Sequence, residues 1–184
     1  MKGYFLDTNI IEFWFDPRRP EHEAVCKQVN DLPADTPLMT SVVVIGEIEY
    51  GIHANKKGKQ IALAEWRAIL TPENRLARIL KIAKSTAEIY GDLRARLFEK
   101  YAGSKKRNRL RPEQLLDPMT SLSLGIQEND LWLAAQAMER NLVLVTHDRM
   151  YRIREIAPEL TIKDWAVPST QPPSDPTSFV APST

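Results

Sequence analysis

Leu142-Val143-Leu144-Val145-Thr146-His147-Asp148 is the stretch on which the fold turns. Its four consecutive aliphatic residues are the pattern of a strand that a parallel sheet buries on both faces. The polar Thr146-His147-Asp148 ends that strand. Just upstream, Leu131, Ala134, Ala135 and Met138 recur at helical spacing over Leu131 to Arg140, with Asn129 as the predicted N-cap. Downstream, a short helix is predicted from Met150 to Ile156 and a last strand from Leu160 to Lys163.

The same alternation runs back to the N-terminus. Gly3-Tyr4-Phe5-Leu6 is a short buried strand, followed at once by Asp7-Thr8-Asn9, where a helix begins. Asp16-Pro17-Arg18-Arg19-Pro20 breaks that helix, and Glu21 to Leu32 forms the next, closed by Pro33. Pro37 to Thr40 is a second strand, with Ser41 capping a helix that carries Val42, Ile45, Ile48 and Ile52. An amphipathic helix is predicted over Gln60 to Leu70, a third strand over Ile79 to Ile82, and a long helix over Ser85 to Tyr101. Ala102 to Gly125 lacks a clean period and is expected to be an inserted basic loop with a short helix at Pro112 to Leu116. Strands alternating with helices predict an α/β fold with a mainly parallel sheet. The domain is expected to span residues 1–167, and the Pro/Ser/Thr-rich stretch 168–184 to be a disordered tail.

Composition narrows the function. A chain of 184 residues, 43% hydrophobic, can bury one full core and is short for two ordinary domains. The 25 Lys and Arg nearly balance the 24 Asp and Glu, which excludes a histone-like or acidic-tail composition. No apolar run approaches the roughly 18–20 residues of a bilayer span, and the start lacks a signal-peptide core, so a soluble cytoplasmic protein is expected. The lone Cys26 cannot make an internal disulfide or a Cys-rich zinc site. Near-neutrality conceals one asymmetry: between Arg94 and Arg111 eight positive residues stand against the single acid Glu99, a segment suited to face a polyanion or simply to be solvated.

In an open parallel sheet, ligands sit beyond the C-terminal strand ends, where strand order reverses. Asp7 and Asp148 follow the first strand and the Leu142 to Val145 strand, so both lie on that rim. Asp130 falls in the first turn of a helix, and Glu47 about two turns into the helix after the second strand. Each has an ordinary alternative: Asp7 and Asp148 as helix caps, Asp130 as a complement to a helix dipole, Glu47 as a solvated glutamate. Together they would repel one another unless a cation neutralised them. An oxygen-only donor set suits Mg²⁺ or Mn²⁺, and the scattered His22, His53 and His147 disfavour zinc.

At this point the chain resembles a known family. Phe5-Leu6-Asp7-Thr8-Asn9-Ile10-Ile11, the helix Ser41 to Gly51 bearing Glu47, Glu128-Asn129-Asp130-Leu131-Trp132-Leu133-Ala134-Ala135, and Leu144-Val145-Thr146-His147-Asp148 match in order the motifs of PIN-domain proteins. The likeness is strongest to the VapC-like and FitB-like toxin nucleases and runs from about Lys2 to Trp165. It implies a PIN-like three-layer domain with a parallel sheet in the order 3-2-1-4-5 flanked by helices, and a Mg²⁺- or Mn²⁺-dependent endoribonuclease, the toxin of a toxin-antitoxin pair. Carried over, Asp7, Glu47, Asp130 and Asp148 are the catalytic and metal-binding quartet, with Thr8, Asn9 and Thr146 orienting them. RNA is the implied substrate, and a cognate antitoxin and a second copy of the chain are the implied partners; the faces of the Ser41 to Ile52 and Gln60 to Leu70 helices suit a homodimer. Lys105, Lys106, Arg107 and Arg109 are candidate RNA-binding residues.

The chain departs from the family in having Met150-Tyr151 where an acid and a Phe are common, and in a longer, more basic 102–125 segment. A phosphatase that uses an aspartyl nucleophile needs a second Asp at position 9, which is Asn9, and a receiver domain needs paired acids and a late Lys that are not evident. The remaining alternative is a non-catalytic PIN-like module that binds RNA or protein; retention of all four acids favours the enzyme.

Overall fold

The computed structural model describes residues 2–54, 75–102 and 110–167. The expected helix Gln60 to Leu70, the basic residues Lys105, Lys106, Arg107 and Arg109, and the tail 168–184 lie outside the described residues. The elements in chain order are β1 (Tyr4–Leu6), α1 (Thr8–Phe15), α2 (His22–Asp31), β2 (Leu38–Ser41), α3 (Val42–Ala54), β3 (Leu76–Leu80) and α4 (Lys84–Tyr101). A 3₁₀ turn (Pro112–Gln114) follows, then α5 (Glu128–Glu139), β4 (Val143–Val145), α6 (Tyr151–Ile156) and β5 (Ile162–Lys163).

The five strands form one parallel sheet in the order β3-β2-β1-β4-β5. Chain order therefore runs outward in one direction from β1 and in the other from β4, and the reversal falls between these two central strands. Their register pairs Leu6 with Val145, so both strands end level, and the Asp7 amide extends the ladder to the Val145 carbonyl at 3.0 Å. Phe5, Leu6, Leu144 and Val145 are all fully buried, as expected of central strands covered by helices on both faces.

A buried polar relay fixes the helices that flank the rim. Ser41 Oγ donates to Gln136 Oε1 of α5 at 2.5 Å, and Gln136 Nε2 donates to the Leu80 carbonyl at 3.3 Å. Both side chains are fully buried, so each needs these partners. Ser41 Oγ also accepts the Val43 amide at 2.9 Å, starting α3 as its sequence predicts. Across α4 and α5, Tyr90 and Trp132 stack nearly parallel with centroids 3.8 Å apart.

Three expectations need correction. The third strand is Leu76–Leu80 rather than Ile79 to Ile82: it is an edge strand with a single neighbour, and Ile79 and Ile82 are exposed while Leu76 and Leu80 turn inward. Asn129 does not cap its helix; the N-cap is Gln127, whose amide is taken by Asp130 Oδ2 at 2.8 Å. The described part of the expected loop carries a 3₁₀ turn at Pro112–Gln114 within the expected short helix, with Leu115 buried and Leu116 bridging Ser123. Nor do the first bases of the Arg94 to Arg111 run await a polyanion. Arg94 pairs with Glu128, Arg96 with Asp92 and Glu159, and Lys100 with Glu155.

Candidate active site

Asp7 owes its position to two local rules. It ends β1 and is the N-cap of α1, with extended backbone (φ −76°, ψ 165°) and Oδ1 accepting the Thr8 amide at 2.6 Å. Its other oxygen accepts Thr146 Oγ1 at 2.7 Å and Asn9 Nδ2 at 3.2 Å. The cap reading is therefore correct, yet it does not exhaust the residue. Only 5% of Asp7 is exposed, and the cost of burying its charge lifts the carboxyl from 3.8 to about 6 against the pull of Thr146 and Thr8; Glu47 and Asp148 add repulsion.

Asp148 follows β4 and is exposed. Asn9 spans the gap to it: Nδ2 lies 3.1 Å from Asp148 Oδ2, and Oδ1 accepts the His147 amide at 3.1 Å. Thr146 Oγ1 accepts the Asp148 amide at 3.0 Å while donating to Asp7, so one hydroxyl ties the two strand ends together. Asp130 is raised further, to about 7, chiefly by burial and then by Asp7, Asp148 and Glu47, with the Gln127 amide opposing. The four carboxylates predicted from sequence thus share one rim and feel one another's charge.

Glu47 completes the rim from α3. Thr8 Oγ1 donates to its Oε2, and Asn129 Nδ2 donates to its Oε1 at 2.6 Å. Asn129 is the site residue that sequence reasoning assigned elsewhere. An Asn one position before Asp130 at a helix start is read as a cap, whereas here it occupies the first turn and its amide is directed across to α3. None of the four acids is ion-paired with Lys, Arg or His among the described residues, unlike most of the carboxylates around α6.

These residues fit a hard divalent cation by donor chemistry: they offer oxygens only, from several carboxylates, two of which are held well above their usual range by burial and mutual repulsion. Among the described residues no three acidic, His or Cys side chains already close into a coordination cage. Hydrogen-bond donors from Asn9, Thr8, Thr146 and Asn129 occupy the carboxylate oxygens instead. A cleft of about 730 Å³ opens from Asp130 and Asp148 toward α6, lined also by Arg149, Tyr151, Arg152 and Glu155. Glu47 lines a second cleft of about 640 Å³ between α3 and the start of α5, with Val42, Tyr50, Asn129 and Trp132.

Residues 4–157 match the PIN domain family. Comparison with curated proteins gives no match. Among solved structures, a chain of VapBC2 from Rickettsia felis, bound to a DNA fragment from its promoter, aligns with a TM-score of 0.61 at 23% identity, covering 88% of this chain and 98% of that one. VapBC-1 from nontypeable Haemophilus influenzae aligns with a TM-score of 0.59 at 21% identity, over 89% and 98%. VapBC-5 from Mycobacterium tuberculosis, a member of the VapBC family of toxin-antitoxin systems, gives 0.53 at 19%, over 89% and 98%. At these identities the likeness shows a shared fold, including the 3-2-1-4-5 sheet expected from sequence.

Proposed function

The chain belongs to the PIN domain family, and from that premise we propose that it is a Mg²⁺- or Mn²⁺-dependent endoribonuclease acting as the toxin of a toxin-antitoxin pair. The observation that carries this reading is the rim itself: Asp7, Glu47, Asp130 and Asp148 converge at the reversal of strand order with no cation of the described residues paired to any of them. Structural carboxylates are ordinarily paired or solvated; a set in which burial, with some mutual repulsion, raises two members is suited to a positive ligand. When bound there, a divalent ion supplies charge neutralisation at a phosphodiester and lowers the pKa of water, so that hydrolysis needs no side-chain nucleophile.

The chain's own residues have separable tasks. Asp7, Glu47, Asp130 and Asp148 hold the ion; Thr146 and Asn9 keep Asp7 and Asp148 at a fixed spacing. Thr8 and Asn129 hold Glu47 toward the rim from opposite sides. Ionisation of Asp7 and Asp130 precedes ion binding, so affinity for the metal rises from pH 5 to pH 8. The antitoxin role is supported by the toxin-antitoxin system to which VapBC-5, whose fold the chain shares, belongs, and the homodimer role by Val42 and Tyr50, exposed on α3.

The test is cleavage of mixed RNA by the purified chain in Mg²⁺ or Mn²⁺ against the same reaction in EDTA. Cleavage confined to the metal reactions and lost in Asp7→Asn supports the reading. Cleavage that persists in EDTA, or in Asp7→Asn, excludes it.

A further inference from the structure

The cleft leading from Asp130 and Asp148 holds a pair of side chains that the metal site does not use. Tyr151 is 61% exposed, and the Arg149 guanidinium lies 5.9 Å from its ring centroid. Between them Met150 is buried, at φ 44° and ψ 34°. A left-handed backbone at a non-glycine residue is costly and persists where its surroundings impose it. Here the turn sends Met150 into the core and leaves both flanking side chains outside. Tyrosine is amphipathic, and a ring so exposed beside the strand end forgoes burial that the core would reward.

The other basic side chains of the cleft are turned to partners of the fold, Arg152 to two acids and Arg154 to two backbone carbonyls. Arg152 is held by Asp117 at 2.5 Å and by Glu155 at 2.9 Å, and Arg154 reaches the Ile162 carbonyl at 3.4 Å. Glu155 is held by Lys100 and the Tyr101 hydroxyl as well. Arg149 has no acidic partner among the described residues, and it adjoins Asp148 in the chain. An uncompensated guanidinium and an exposed aromatic face, side by side at the mouth of a cleft that ends on the acids, are the two components of a site for one unpaired nucleotide. Arginine takes a phosphate oxygen and the ring takes a base face.

We infer that Tyr151 and Arg149 form a nucleotide subsite in which a base of single-stranded RNA stacks on the Tyr151 ring and its phosphate pairs with Arg149. The inference rests on the ribonuclease reading for the path of the strand, which passes Asp130 and Asp148 and leaves along this cleft. The cleft's volume of about 730 Å³ suits an occupant of nucleotide size. Base-paired RNA does not fit the role, because its bases present no free face to a side chain.

The experiment measures binding of a fluorescein-labelled mixed-sequence 12-nucleotide RNA by anisotropy in Ca²⁺, with the intact probe checked on a gel. The same strand is also presented as a duplex and as an abasic strand of equal length. Tyr151→Ala is expected to weaken binding of the single strand by roughly 5- to 150-fold, and Tyr151→Phe, which keeps the ring, by no more than about twofold. Against the abasic strand, Tyr151→Ala and the wild type are expected to bind alike. Arg149→Ala is expected to weaken both strands and to reduce the salt dependence by about 0.7 per lost phosphate contact. The subsite is overturned if the wild type does not prefer the single strand, if Tyr151→Ala binds it normally, or if that variant loses as much on the abasic strand; normal binding would turn this pair toward a protein partner. Binding with the expected Tyr151 dependence but no cleavage in Mn²⁺ would sink the ribonuclease reading and leave the subsite standing.

Discussion

Two clusters of carboxylates in this molecule follow opposite electrostatic plans. Around α6, Glu155 receives the Lys100 ammonium at 2.9 Å, the Tyr101 hydroxyl, and the Arg152 guanidinium at 2.9 Å. Lys100 and Tyr101 lead in pushing its carboxyl down to about 2. Asp117 takes the other side of Arg152, which ties the 110–127 turn to α6. At the rim, 5% exposed Asp7 and half-buried Asp130 sit among acids, and burial pushes them up to about 6 and about 7. Acids that serve the fold are given cations by the fold. The rim acids, at the strand-order reversal, are given none by the described residues, and this is the charge deficit that the proposed metal ion would complete.

The largest effect expected from this contrast is on activity. Replacing Asp7 by Asn should lower metal-dependent RNA cleavage by more than the roughly 10- to 100-fold that loss of a ligand's hydrogen-bonding partner costs. Initial rates on a fluorescent RNA measure it, and wild-type rates would reduce Asp7 to a helix cap. The same substitution should raise stability. Burial lifts the Asp7 carboxyl, so the folded chain binds a proton more tightly than the unfolded one. The stability this confers is fully present below about pH 4 and is lost as pH rises through about 6. Relative to a neutral side chain, ionised Asp7 then costs the metal-free protein on the order of 3 kcal/mol at pH 8. Asp7→Asn should accordingly melt higher than wild type at pH 8 in EDTA, with the gap narrowing toward pH 5; the Thr8 amide still finds an acceptor in the Asn side-chain oxygen.

Asn129 gives a sharper version of the comparison, since it touches the rim without being an acid. Removing its amide in Asn129→Ala frees one Glu47 oxygen and should weaken Mn²⁺ binding by roughly 10- to 100-fold, read by calorimetry. Unchanged affinity would mean that Thr8 alone positions Glu47. The smallest effect belongs to the paired cluster. Glu155→Gln should lower stability by at most about 1 kcal/mol, because its ion pairs are solvent-screened. A rise in melting temperature there would erase the distinction between the two clusters.

The strand ends and the rim acids were legible in the sequence for a physical reason: a central parallel strand is a short aliphatic run, and the residue after it must fall on the binding rim. Asp7 needed only that rule, Asp148 follows its strand after Thr146 and His147, and Glu47 and Asp130 needed the helices that follow. Asn129 was not legible, because capping preference is a local property and the bond to Glu47 spans 82 positions. The true cap is decided by Asp130 closing on the Gln127 amide, which only the position of the preceding turn reveals. Leu76–Leu80 was misplaced because its pairing register with β2 shifts between Leu76 and Arg78, so its buried positions follow no simple period, and the apolar Ile79-Leu80-Lys81-Ile82 beside it was the stronger signal. Pairing of Arg94 with Glu128, Arg96 with Glu159 and Lys100 with Glu155 was invisible because those acids come from distant elements, whereas the Arg96–Asp92 pair, four apart on one helix, is written in the sequence.

The claim at stake is that the rim acids, given no cation by the described residues, take one as a ligand. Its most direct test is the melting temperature of the wild-type chain from pH 5 to pH 8, once in EDTA and once in Mn²⁺. In EDTA, stability should fall across this window as Asp7 and Asp130 ionise near 6 and 7. In Mn²⁺ the fall should be offset, so that the two curves meet near pH 5 and separate progressively toward pH 8. Asp7→Asn should largely abolish the separation. Parallel curves, with Mn²⁺ adding nothing at pH 8, would contradict the account.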